Sequence, residues 1–160
     1  SQSTDVGCVR LTERHLHADP PLPHEIAAAR ADVERAIDLA AQQVPLAEAV
    51  TLVGLAGSIT TITAHALGLS SYQPDRIHLS RLTSQQALAA SDDLLEMSRA
   101  ERAALPFMHP GRVDVIGGGA IVWRTIIERV AAVAGPVPVI TSEHDILDGI
   151  ALSVLEREAS

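Results

Sequence analysis

The chain has no lysine and no asparagine, and only one cysteine, tryptophan, tyrosine and phenylalanine each in 160 residues. With Cys8 alone, no intramolecular disulfide can form. That excludes the disulfide-stapled secreted scaffolds and fits a reducing, cytoplasmic compartment. No apolar run approaches the roughly 18 residues of a membrane span. The opening residues Ser1 to Asp5 are polar and lack a basic n-region, so no secretory leader is read there. All twelve basic residues are arginine, against twenty acidic ones, for a net charge of −8. This balance argues against a whole-surface nucleic-acid binder, but leaves room for a local arginine pocket that takes phosphate.

What is present is the composition of a folded domain, 47% hydrophobic and 20% charged. At this length one domain is expected, burying about 70% of the surface its unfolded chain exposes. The chain does not open with methionine, and the expectation is a piece of a longer protein.

Strand and helix signals alternate, which indicates an α/β domain with part of its sheet parallel. Val6 to Glu13 alternates apolar and polar residues and is expected to be a strand. Pro23 suits the first position of a helix to about Gln43, which Pro45 ends. Thr51 to Ala56 has no charge and reads as a buried parallel strand. Gly57-Ser58 ends it, and Ile59 to Leu67 follows as a helix closed by Gly68. Thr83 with Gln86, and Ser98 with Glu101, have the spacing of capping boxes. Across Arg112 to Val130 two readings stand. Gly117-Gly118-Gly119 favours strand–loop–helix, since each glycine costs about 1 kcal/mol inside a helix. The apolar spacing from Val115 to Val130 favours one buried helix that includes Trp123. Pro136 to Thr141 is a last strand, and Ser142 with Asp145 caps a closing helix from Ile146 to about Glu156.

The strand–glycine–helix junction Gly54 to Ser58 is the sharpest candidate site. Glycines let a ligand approach the backbone, and free N–H groups at a helix start attract negative charge. Ser58, Thr60 and Thr61 add hydroxyls; the alternative is a turn needed only for packing. Gly117 to Gly119 lacks the lysine of a P-loop, and close helix packing is its plainer reading. Arg112 has the bidentate geometry for phosphate; its alternative is an ion pair with Asp114 or Glu101. Arg10, on the expected first strand, is a weaker candidate. His15 and His17 do not have the spacing of a helical zinc pair. Glu143, Asp145 and Asp148 read as helix capping rather than as an acid–base cluster.

Five stretches in order, Gly7 to Glu13, Val53 to Thr63, Met97 to Arg102, Pro110 to Ala120 and Ser142 to Ile150, are similar to the C-terminal half of Ppx/GppA phosphatases. These are the exopolyphosphatases and guanosine pentaphosphate phosphatases. The arginine-only, alanine-rich style resembles actinobacterial members. The resemblance implies the second lobe of an actin-like (ribonuclease H-like) fold, a mixed sheet flanked by helices, filling residues 1–160 as one domain. It implies a partner lobe upstream that supplies the first phosphate loops, the catalytic glutamate and the Mg²⁺ ligands. No catalytic residue and no metal ligand is then expected in this chain. Gly57, Ser58 and Thr60 would lie near phosphates, and Arg112 on the ligand. The resemblance also implies one continuous helix over Asp114 to Val130. The implied substrate is polyphosphate or guanosine penta/tetraphosphate, with a homodimer possible and neither nucleic acid nor membrane as partner. Competing readings are a non-catalytic nucleotide-binding or dimerisation lobe, and a lobe of a kinase with the same fold.

Overall fold

Residues 3–158 of the computed structural model are described, with side chains through Ser153, so the polar opening Ser1-Gln2 lies outside them. The first element corrects the sequence expectation. Residues Cys8–His15 form a helix, α1, rather than a strand. Cys8, Leu11, Thr12 and His15 fall on one face at helical spacing and turn inward, while Val9, Arg10, Glu13 and Arg14 are exposed. Two alternating apolar residues, Val9 and Leu11, were too few to establish a period of two.

Helix α2 runs from Pro23 to Ala41 with proline at its first position. Glu25 is buried and accepts the backbone N–H groups of Leu22 (2.8 Å), His17 (3.0 Å) and Ala18 (3.1 Å). The bond from Leu22 is the largest of the influences that hold its carboxyl below the usual range. Strand β1 spans Leu52–Leu55 and leads into α3, Gly57–Ala66. Gly68, at φ 59, takes the left-handed position after that helix. The short α4, Pro74–Ile77, precedes β2, Arg81–Leu82. Both expected capping boxes form: Thr83 opens α5 (Ser84–Glu96), and Ser98 opens α6 (Arg99–Ala104).

The segment over the three glycines is one helix, α7, Ile116–Ala134. All three glycines are buried in its first turn. A methyl group on Gly118 would fall closer than 3.0 Å to the Cys8 carbonyl oxygen of α1, and one on Gly119 equally close to Ser58 Oγ of α3. Gly118 therefore lets α7 approach the α1 backbone and Gly119 lets it approach the Ser58 side chain of α3, which offsets their poor helix propensity. Farther along, α7 buries Ile121, Trp123, Ile127 and Val130 against α2, α3 and α5. Each such side chain contributes about 1.5–3 kcal/mol.

Strand β3, Val139–Ser142, pairs parallel with β1 and antiparallel with β2, giving the order β1-β3-β2. The parallel pairing agrees with the sequence reading, but β1 is not buried. It is an edge of the described sheet, with Val53 58% and Leu55 44% exposed. Helix α8, Ile146–Glu158, closes the chain. Its cap is Asp145, which accepts the N–H of Leu147 (2.8 Å) while Asp148 accepts that of Asp145 (2.8 Å). Ser142, the other expected cap, instead bonds the backbone of His144. Ile146, Leu147, Ile150 and Leu152 of α8 are exposed. No helix of the described residues is long and apolar enough to cross a membrane.

Candidate functional site

The chain leaves β1 and enters α3 through Ala56, whose φ of 70° and ψ of 169° lie in a region that is essentially glycine's own. Holding alanine there costs about 1–3 kcal/mol. Glycine at this position would remove that strain but give up about 0.5–1 kcal/mol of chain entropy. Ala56→Gly should therefore raise the melting temperature by about 2–4 °C, the response of a chain this long to roughly 1 kcal/mol. A lower melting temperature in a thermal scan would show that Ala56 is not strained.

The bend exposes the first turn of α3. Ile59 and Thr60 donate back to the Ala56 carbonyl, whereas the N–H groups of Gly57 and Ser58 find no acceptor among the described residues. Over this turn lies the Arg112 guanidinium, carried on the tight turn Pro110–Arg112 that His109 caps through the Gly111 N–H. A methyl group on Gly57 would sit 2.5 Å from Arg112 Nε. Arg112 Nη1 donates to Thr61 Oγ1 at 3.1 Å, and Thr61 donates to the Gly57 carbonyl at 2.8 Å. The guanidinium carbon is 5.9 Å from the centre of the Tyr72 ring. The ion pairs expected as alternatives do not form. Asp114 is taken by Arg99 at 2.6 Å, Glu101 caps its own helix at Ser98, and among the described residues no carboxylate pairs with Arg112.

Gly57, Ser58 and Arg112 line one cleft of about 440 Å³, together with Val53, Gly119 and Trp123. Thr60 does not line it. Thr60 is 3% exposed, and its hydroxyl lies under the turn, 2.8 Å from the Tyr72 hydroxyl. That hydroxyl is also 2.8 Å from Glu143 Oε1. The Tyr72 O–H is shared between Thr60 Oγ1 and the Glu143 carboxylate, which only accepts, while the Thr60 hydroxyl donates to the Gly57 carbonyl at 3.3 Å. Glu143 is thus not a cap, as expected from sequence, but part of the wall behind the site. Its N–H donates to His78 Nδ1 at 3.2 Å. Arg112 also borders a second cleft of about 360 Å³ with Tyr72, Met108 and His109.

The remaining candidates lie elsewhere. Arg10, on α1 rather than a strand, pairs with Asp5. His15 Nε2 donates to the Asp32 carboxylate at 2.8 Å, and that bond is the largest influence holding the Asp32 carboxyl below its usual range. Asp148 is lowered too, first by the backbone N–H of Asp145. Among the described residues no three His, Cys, Asp or Glu side chains are placed to hold a metal ion.

In sequence and fold the chain matches known proteins. The pattern of the Ppx/GppA phosphatase family covers residues 1–157. The chain belongs to that family. It is 50% identical over 154 residues to exopolyphosphatase 2 of Mycobacterium tuberculosis, a match that covers 96% of this chain and 48% of that protein. Among solved structures, an exopolyphosphatase-like protein superposes with a TM-score of 0.93 at 42% identity, over 98% of this chain and 50% of the other. The Ppx/GppA member of Aquifex aeolicus gives 0.79 at 26% identity, over 96% and 48%. The chain therefore spans about half the length of these relatives, and its mixed sheet flanked by helices is the fold of one part of a Ppx/GppA phosphatase.

Proposed function

We propose that the chain is the C-terminal lobe of a hydrolase that releases the terminal phosphate of inorganic polyphosphate or guanosine penta/tetraphosphate. The observation that carries this reading is the seat of Arg112: an arginine with no carboxylate partner among the described residues, over two undonated N–H groups. A phosphate placed there would meet a charged fork and two backbone donors, the elements that stabilise charge on a transferred phosphoryl group. Gly57 and Ser58 are the proposed backbone contacts and Arg112 the ligand-binding cation. Thr60 acts from beneath by ordering the turn.

Attack by water in line with the leaving phosphate needs a base, and we assign that base to the upstream lobe. Mg²⁺ is the metal we propose for the whole protein; among the described residues no group of three His, Cys, Asp or Glu side chains is placed to hold it, and we assign its ligands to the upstream lobe. The exposed edge of β1 and the apolar residues of α8 support an upstream lobe as the first partner, with a homodimer second. The single cysteine supports a cytoplasmic location.

The test is phosphate release from medium-length polyphosphate with Mg²⁺, first by the chain alone, then with its upstream half added. Silence followed by turnover is expected. Turnover by the isolated chain would overturn the assignment of the base. Phosphate transfer only to an added acceptor would indicate a kinase lobe, and guanosine tetraphosphate binding without turnover a binding module.

A further inference from the structure

We infer that Tyr72 and Glu143 are a positioning pair that holds Arg112 over the α3 turn without neutralising it. This rests on the anion-site reading above. An arginine held by a carboxylate is well placed but gives up part of its attraction for a second anion. Arg112 is held otherwise, by a neutral hydroxyl on one side, Thr61 Oγ1, and the face of an aromatic ring on the other. The ring attracts a guanidinium through its quadrupole. Its direction is fixed by its own hydroxyl, pinned between Thr60 and Glu143.

Glu143 is then one step removed from the cation. Its negative charge is spent on the phenol hydrogen, which makes the ring more electron-rich toward Arg112. The carboxylate is itself held at the end of β3, where the Glu143 backbone N–H meets His78 Nδ1. Tyr72 is the only tyrosine in the chain, and no other residue type offers both a cation-attracting face and a hydroxyl in line with it. The junction of β3 and α8 is thereby tied to the first turn of α3, residues far apart in sequence.

The measurement is the Kd of tripolyphosphate for the protein with its upstream half present, in the absence of divalent metal so that nothing turns over. Tyr72→Phe and Glu143→Ala should each weaken binding about fivefold, the scale of an ordinary net hydrogen bond, since each acts on the ligand only through Arg112. Glu143→Gln, which keeps an acceptor for the phenol, should recover most of the affinity that Glu143→Ala loses. In an Arg112→Ala background, Tyr72→Phe should cost nothing further, because its effect passes through Arg112. A structural role would be independent of Arg112, so an equal loss in both backgrounds would overturn the pair. So would Tyr72→Phe at wild-type affinity while Arg112→Ala binds weakly. If Arg112→Ala itself binds as wild type does, the anion site falls and the pair falls with it.

Discussion

Gly118→Ala should lower the melting temperature by about 4–8 °C, although alanine is the better helix former. Two effects oppose each other at this position. Replacing glycine in a helix interior gains about 1 kcal/mol of propensity. Against it, the new methyl meets the Cys8 carbonyl oxygen closer than 3.0 Å, Thr12 Oγ1 at 2.7 Å and the Cys8 carbonyl carbon at 3.2 Å. Two of these are backbone atoms, so no rotamer change relieves the contact and α1 must move off α7. Overpacking of this kind costs typically 1–3 kcal/mol, and a contact with backbone belongs at the top of that range. The net loss is about 2 kcal/mol, which for a chain of this length is the stated fall. Gly149→Ala is the control, on exposed α8 with nothing within 4 Å of the added methyl; it should hold or raise the melting temperature. A Gly118→Ala protein as stable as wild type would show that α1 and α7 are not in backbone contact.

This contact also marks where the sequence stopped being informative. Capping boxes at Thr83 and Ser98 could be read directly, because the interaction spans three residues and both partners are in view. The parallel strands at β1 and β3 were visible as short uncharged runs. Strand β2, two residues long, carries no periodicity at all. The three glycines were ambiguous for a physical reason: what compensates them, the Cys8 backbone and Ser58, lies on other helices and leaves no mark near position 118. The site divides the same way. Gly57, Ser58 and Arg112 were legible from local chemistry and do meet at one cleft. Tyr72 was not, and Glu143 was read only as part of a capping cluster, because 71 positions separate the two. A signal for Tyr72 did exist in its being the lone tyrosine of a chain nearly without aromatics, but nothing in the sequence said what it faces.

Gly57→Ala should leave the fold intact and cost tripolyphosphate affinity about tenfold, the reverse of the outcome at Gly118. The same methyl is added in each case, and only the obstructing atom differs. At Gly57 it meets Arg112 Nε at 2.5 Å, Cζ at 2.6 Å and Nη2 at 2.7 Å, all at the far end of a flexible side chain. The backbone of Gly57 is already helical and not left-handed, so alanine is tolerated there and stability should hold or rise slightly. The guanidinium, however, must swing away, losing Thr61 and the face of Tyr72 together. A charge-assisted contact to a bound anion is worth about 1.5–3 kcal/mol, so losing even the lower figure gives a fall of roughly tenfold. The check is a tripolyphosphate titration beside a thermal melt of the same sample. Weakened binding with an unchanged melt would locate the effect at Arg112. Unchanged binding would mean that Arg112 does not reach the ligand, and the anion site over α3 would have to be abandoned. Because the ligand is a polyanion, the wild-type affinity should fall with added salt, and Gly57→Ala should fall less steeply, having one fewer positive charge within reach.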